Sequence, residues 1–329
     1  MGFNKWTSRG LIASLALAAG LLGASQTMAD TVRVGLQAVP TDELYKAKDW
    51  GEKYGLAAEI SSFSSASDSL KAFLANRVDI ANGGASRLVT MAAKQPEEFY
   101  IVGVNQYGGE RYGVMLPSDS TVTSIADLKG KKIGAVTGSG TYNTFRVFLE
   151  QNGLKESDFQ IVNMKVEDLR AAVVSKIIDA AVAWEPHIAI AESSGAVKRF
   201  TSLAGVNESP NFVLVRRNFA DANPDTVAMY LASLIDMAEF LKSDPAAASE
   251  MAAEEIGKSG VAVPKEALAV AMSRIKLDPE VTDAMIAELQ PLGQSMLDSG
   301  NIKALPDYGN IVNNSFYQRA LEIRKGADG

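Results

Sequence analysis

The sequence contains no cysteine in its 329 residues, so it offers no disulfide, no thiolate nucleophile and no sulfur-rich metal site. It has a single histidine, His187, which excludes a multi-histidine metal centre. No basic block stands out, and 32 Lys+Arg against 39 Asp+Glu gives a formal charge of −7. Such a chain suits neither nucleic acid nor an anionic membrane surface. The P-loop and dinucleotide glycine fingerprints are missing, and so is the G-x-S-x-G elbow of a serine hydrolase. These absences leave no catalytic residue, metal or cofactor to expect. No long hydrophobic run is present either. The best, Leu11 to Leu22, falls short of the roughly 20 residues a membrane span needs.

What is present begins with an address. Lys5 and Arg9 precede that apolar run, and Gly23-Ala24-Ser25-Gln26-Thr27-Met28-Ala29 follows it. A charged segment, a short apolar segment and a small-residue site are the parts of a secretory signal peptide. We expect residues 1–29 to be that peptide and the mature chain to start at Asp30. With no cysteine after the run, a lipid anchor is not expected, and a soluble chain in the periplasm is. The leader holds two bases and no acids, which leaves 30 bases against 39 acids, a formal −9.

The remaining length suffices for two domains with their own cores. Thr31–Leu36, Leu56–Phe63, Val78–Ala81 and Phe99–Val104 read as strands, with helices over Thr41–Tyr54 and from Ser64 onward. Asn82-Gly83-Gly84-Ala85-Ser86 reads as a glycine turn into another helix. The pattern then repeats. Lys132–Val136 is a strand, Thr137-Gly138-Ser139-Gly140-Thr141 a small-residue turn, and Tyr142, Phe145, Phe148 and Leu149 one face of a helix that stops at Gly153. Phe159–Val162 and a helix over Val166–Ser175 precede Ile177–Ala181, which resembles Arg77–Ala81 in both sequence and place. Alternating strands and helices argue for two α/β lobes built on mostly parallel sheets. After Asn211–Val215 the chain turns helical, with Asn223-Pro224, Asp244-Pro245 and Asp278-Pro279 as helix-start signals.

Four motifs in order carry a resemblance. Asp127-Leu128-Lys129-Gly130-Lys131-Lys132-Ile133-Gly134, Gly138-Ser139-Gly140-Thr141, Ile178-Asp179-Ala180 and Trp184-Glu185-Pro186 together resemble the periplasmic substrate-binding proteins of nitrate/sulfonate/taurine-type ABC importers. The likeness spans nearly all of the chain after the leader. It implies an α/β, two-lobed periplasmic binding protein fold with hinge-linked lobes and a helical C-terminal extension. Residues 30–110 plus 212–329 would form lobe 1 and residues 111–211 lobe 2, with hinge strands near Arg111–Val114 and Asn211–Leu214. It also implies a monomer that closes on a small-molecule ligand and delivers it to an inner-membrane permease with a cytoplasmic ATPase. The family usually has glycine where Asn76 and Lys176 stand. Lysine tolerates a left-handed backbone poorly, so the turn before Ile177 is expected to be built differently.

The residues expected at the ligand are Gln37, Ser65, Gly84, Ala85, Ser86, Gly138, Ser139, Gly140, Thr141, Trp184 and Glu185. A strand feeding a glycine-rich turn that opens a helix presents free N–H groups at the positive end of the helix dipole, a ready anion site. The bland alternatives stand beside these readings. Gly138–Thr141 can be a plain capped turn, Trp184 a core aromatic, Glu185 a structural carboxylate, and His187 a surface or capping histidine. No loop near the cavity offers a cluster of Arg or Lys, so helix N-termini at Ser86 and Thr141 would hold the oxyanion. We expect a small organic anion, an alkanesulfonate or taurine-like compound first, and a neutral heterocycle such as a pyrimidine second. Glu185 would accept an amine if the ligand is zwitterionic. Chains of similar fold include a thiamine-pyrimidine synthase, but its cysteine-rich motif and active-site histidine have no counterpart here. Presentation of the loaded form to a chemoreceptor is a further possibility.

Overall fold

A computed structural model describes residues 31–260, 263–298 and 300–327. The expected leader, 1–29, and the cleavage site at Asp30 lie outside them. The chain builds two five-stranded sheets in succession. The first run is β1 (Val32–Gln37), α1 (Pro40–Lys46), β2 (Ala58–Phe63), α2 (Ala66–Leu74), β3 (Ile80–Gly84), α3 (Ala85–Lys94) and β4 (Phe99–Gln106). The second run is β5 (Tyr112–Pro117), β6 (Lys132–Ala135), α4 (Gly140–Gln151), β7 (Gln160–Asn163), α5 (Val166–Val174), β8 (Ala180–Trp184), α6 (His187–Ser193) and β9 (Val197–Ser202). The chain then returns to the first sheet as β10 (Asn211–Arg216).

The two sheets have the same topology, β2-β1-β3-β10-β4 and β7-β6-β8-β5-β9. In each, four strands run in one direction, and the strand in the fourth place runs against both of its neighbours. The fourth place in each sheet is taken by a strand that has just crossed from the other, β10 in the first and β5 in the second. Alternation along these strands feeds a core on both faces. Phe212 and Leu214 of β10 point into one cluster with Ile101 and Leu289, and Val213 and Val215 into another with Val34 and Tyr230. The second sheet does likewise: Val114, Ile133 and Val182 pack with Phe145, and Met115, Ala181 and Ala183 with Leu169 and Ile188.

The C-terminal segment is helical: α7 (Arg217–Ala222), α8 (Pro224–Ser243), α9 (Pro245–Gly257), α10 (Lys265–Ser273), α11 (Asp283–Ala287), α12 (Leu289–Asp298) and α13 (Ser315–Ala327). Val227, Tyr230, Leu231 and Leu234 of α8 are fully buried against the first sheet. None of the helices among the described residues is long and apolar enough to cross a membrane.

The duplicated helix–strand turn has a physical basis. At each copy the helix ends on a residue in the left-handed region, Asn76 at φ 59° and Lys176 at φ 57°. The hydrogen bonds also match: Asn76 N to Phe73 O and Arg77 N to Ala72 O, against Lys176 N to Val173 O and Ile177 N to Ala172 O. The turn before Ile177 is therefore built like its partner, and the lysine accepts the left-handed backbone. Asp79 and Asp179 then clamp the next strands in the same way. Each accepts from a main-chain N–H of the neighbouring strand, Arg33 N at 3.0 Å and Lys132 N at 2.9 Å.

Four expectations shift. The helix drawn over Thr41–Tyr54 stops at Lys46, because the Asp49 side chain takes the N–H of Gly51 and turns the chain. Asn82-Gly83-Gly84 is not a turn but the end of β3, paired with β10 from Asn211 to Val213. Asp278-Pro279 opens no helix; Asp278 accepts from Glu280 N in a turn, and Pro279 O accepts from Val104 N alongside β4. Arg111–Val114 and Asn211–Leu214 were expected to cross between the sheets. The crossings instead occupy 107–111 and 203–210, just before β5 and β10.

Candidate functional site

The strand ends carry the site. Main-chain chemistry puts the first N–H groups of a helix beyond the C-terminal end of the strand that feeds it, and both runs do this toward one cavity of about 150 Å³. The first sheet supplies Gln37, Ala38 and Val39 after β1, Ser64 to Ser67 at the start of α2, and Gly84, Ser86 and Arg87 at the start of α3. The second supplies Val136 and Gly138 to Thr141 at the start of α4, and Trp184 and Glu185 at the end of β8. Arg111 lines it from the first crossing, and Gln106, Tyr112 and Asn211 from the strand ends that border the crossings.

Three helices of ordinary length, α2, α3 and α4, thus aim their N-termini at the cavity, one more than expected. Ser65 and Ser139 are N-caps. Ser139 Oγ accepts from Tyr142 N at 3.1 Å, and Ser65 Oγ accepts from Asp68 N while donating to its carboxylate at 2.9 Å. The glycines leave the wall open without being forced by crowding. A Cβ at Gly84, Gly138 or Gly140 would lie 4.0 Å from Asn211 Oδ1, 3.7 Å from Arg87 Nη2 and 3.9 Å from Tyr112 Oη, contact distances without collision.

Of the expected ligand residues, ten line the cavity and Ala85 does not. Ala85 is the first residue of α3, but its methyl packs against the cluster that holds Leu88 and Phe212. Ser86 lines the cavity with its hydroxyl engaged across the cleft, accepting from Asn143 Nδ2 at 2.5 Å. A second bond crosses beside it, Arg87 Nη2 to Gly138 O at 3.3 Å. These two contacts tie the start of α3 to α4. Trp184 is the last residue of β8, opposite Tyr112, half-buried and in edge contact with His187 at 5.8 Å between ring centroids.

Glu185 lines the cavity with its charge committed elsewhere. It is 2% exposed; Oε1 accepts from Arg274 Nη1 at 2.6 Å and Oε2 from Ala189 N at 3.0 Å. Burial pushes its carboxyl up, against the pull of Arg274 and the Ala189 N–H. Arg274 also binds Glu192 at 2.8 Å, so this triad joins the C-terminal helices to the second sheet. His187 is half-buried rather than on the surface, and burial pushes its imidazole down.

Two arginines on the wall overturn the expectation of a site without cations. Arg87 follows Ser86 directly. Arg111 ends the first crossing, is 3% exposed, and lies over the Tyr112 ring at 4.1 Å. Its Nη2 donates to Ser209 O, while Nε and Nη1 find no acceptor among the described residues. Gln37 Nε2 and Asn211 Oδ1 are likewise buried without a partner there. Asp42 is buried behind this wall, next to Gln37. Its carboxylate accepts from Gln37 N at 2.7 Å, Asn105 Nδ2 at 2.7 Å and Asn82 Nδ2 at 3.2 Å, yet burial pushes its pKa up to about 7. The buried asparagines and Arg111 were passed over because each sits inside an apolar strand pattern or beside a turn.

Known proteins are similar to this chain in sequence and in fold. A putative aliphatic sulfonates-binding protein of Bacillus subtilis (strain 168) is 25% identical over 299 residues, 88% of either chain. The taurine-binding periplasmic protein of Escherichia coli (strain K12) is 28% identical over 225 residues, 67% of this chain and 69% of that one. Among solved structures, the periplasmic aliphatic sulphonate binding protein SsuA from Escherichia coli superposes with a TM-score of 0.74 at 21% identity. That match covers 86% of this chain and 92% of that one, and shows the fold: two α/β sheet units of the periplasmic binding protein type with added C-terminal helices. The profile of the NMT1/THI5-like family matches residues 44–248, and by that match the chain belongs to the NMT1/THI5-like family.

Proposed function

We propose that the chain is the periplasmic solute-binding component of an ABC importer, and that it captures a small organic anion of the sulfonate or taurine type between two lobes. The observation that carries this reading is the convergence of three helix N-termini, from both sheets, on one cavity that also holds a buried arginine without a counter-ion. Fixed N–H groups and a guanidinium recognise an oxyanion, and binding rather than chemistry is what such a wall performs. A cavity near 150 Å³ admits a body about the size of benzene. Trp184 would cover the apolar part of the ligand.

The lobes are the described residues of 31–106 plus 211–327 and 112–202, and the crossings 107–111 and 203–210 are the hinge between them. Opening breaks Asn143–Ser86 and Arg87–Gly138, which join the lobes in addition to the bonds from Arg274 to Glu185 and Glu192. The loaded monomer docks on a permease served by a cytoplasmic ATPase, after export by the leader and without a lipid anchor. The eleven expected residues, less Ala85 and with Glu185 as a support, join Arg87, Arg111 and Asn211 as the ligand shell.

A thermal-shift panel of alkanesulfonates, taurine, nitrate, aromatic acids and pyrimidines tests the reading, with X-ray scattering on each ligand that stabilises. An organic anion at a hundredfold excess over its dissociation constant should add about 2.7 kcal/mol of stability. It should also shrink the radius of gyration. Stabilisation by uncharged heterocycles alone would overturn the anion, and binding without compaction would overturn the hinge.

A further inference from the structure

Within the reading of the cavity as an anion site, we propose that Arg111 is the residue that sets its specificity. The ligand it selects is an anion with no cationic group, an alkanesulfonate rather than an aminosulfonate such as taurine.

The charges on the wall decide this. The charged side chains lining the cavity are Arg87, Arg111 and Glu185. Arg111 is held by Ser209 O and by the face of Tyr112, neither of which brings a formal negative charge. The acid that acts on it from a distance, Glu208, is itself bonded through both oxygens to Lys276, at 2.9 and 3.0 Å. A guanidinium does not deprotonate in a protein, so a buried one without a carboxylate is costly until an anion reaches it. The starts of α2, α3 and α4 add partial positive charge on the same side. An ammonium group would meet the opposite situation. Glu185 is the wall's carboxylate, and its two oxygens are taken by Arg274 and the Ala189 N–H. Among the described residues of the wall, the one buried acceptor without a partner is the neutral Asn211 Oδ1, and the hydroxyl and amide oxygens beside it are neutral too. Such an oxygen can accept from a hydroxyl, but it does not offset a desolvated positive charge beside two arginines.

Ethanesulfonate, isethionate and taurine share one skeleton and differ only in hydrogen, hydroxyl or ammonium at the far end. Calorimetric titration of the full chain at pH 7 should find ethanesulfonate and isethionate at least about tenfold tighter than taurine, and ethyl methyl sulfone, the uncharged analogue, without measurable binding. Arg111→Gln should weaken ethanesulfonate by about 10- to 150-fold, the range that a hydrogen bond to a charged group supplies. Arg111→Lys should recover part of that loss. An arginine with a merely structural role would leave the preference for sulfonate over sulfone unchanged in both variants, and that result overturns the proposal. Taurine binding as tightly as ethanesulfonate overturns it too, while leaving the anion-binding function standing. If no anion binds the unmodified chain, the proposed function itself falls, and this proposal with it. Should Arg111→Gln fail to fold, the ligand series and Arg111→Lys still decide.

Discussion

Asp42→Asn tests the balance of forces behind the cavity wall. Two effects oppose each other at this carboxylate. Three N–H donors, from Gln37, Asn82 and Asn105, favour its charged form, and complete burial favours the neutral one. Three donors alone can hold a carboxylate below its usual range, so the sign of the shift reports which effect wins. Burial wins here, with a pKa of about 7 against 3.8 for a free side chain. A folded-state pKa raised above the unfolded one means that the native chain holds an extra proton between about pH 4 and pH 7. The associated stability is complete below the unfolded pKa and is lost as the pH rises through 7. Most of that separation lies between pH 5 and pH 7, and at 1.36 kcal/mol for each tenfold change in proton activity it amounts to about 3 kcal/mol. Denaturant melts of the native chain and of Asp42→Asn at pH 5, 6, 7 and 8 isolate this contribution, because the other titrating groups cancel in the difference. Stability of the native chain minus that of Asp42→Asn should fall by about 3 kcal/mol across the range. A difference that stays flat from pH 5 to pH 8 would mean that the three donors outweigh burial, and the argument would be refuted.

Two other substitutions probe the scaffold and the wall. Lys176 sits at φ 57°, where a side chain costs about 1–2 kcal/mol, and its ion pair with Asp119 is exposed on both sides and worth little. After the greater entropy of glycine in the unfolded chain is subtracted, Lys176→Gly should raise stability by about 0.5 kcal/mol, and Lys176→Val should lower it by more than 1 kcal/mol; a destabilised Lys176→Gly in denaturant melts would contradict the strain. Trp184→Ala should weaken ligand binding by about 1–3 kcal/mol in calorimetry, by analogy with base–aromatic stacking, and an unchanged dissociation constant would make that ring part of the core alone.

Most of the fold was legible, and the reason is repetition. The helix–strand order and the aspartates at Asp79 and Asp179 recur at the same place in both runs, so each copy supports the other; the left-handed ends three residues earlier, at Asn76 and Lys176, match in the structure although the lysine argued for a different turn. The glycine-rich strand-to-helix turns placed the cavity for the same reason. What failed was local. Asp49 and Asp278 end or prevent helices through single side-chain bonds to Gly51 N and Glu280 N, which periodicity does not register. Ser86 and Glu185 were found at the cavity, but their bonds to Asn143 and Arg274 span 57 and 89 residues, and no pattern in one sequence carries such distances.

The missed residues follow from the topology itself. A parallel strand ends at the cavity, and an antiparallel neighbour must therefore begin there. Asn211, at the start of β10, pairs with Gly84 at the end of β3, and Tyr112, at the start of β5, pairs with Trp184 at the end of β8. Both are the fourth strands of their sheets, and each has just arrived from the other sheet. The residues at these two entries are forced into the cleft wall, which is why Arg111, Tyr112 and Asn211 meet Gly140 and Gly84 there. The sequence does contain the signal: an arginine immediately before the one strand that leaves the first α/β run, and an asparagine opening the one that returns. Reading them requires knowing that the crossing strands enter antiparallel. Given that one fact, the buried cation of the wall, Arg111, lies at the crossing point.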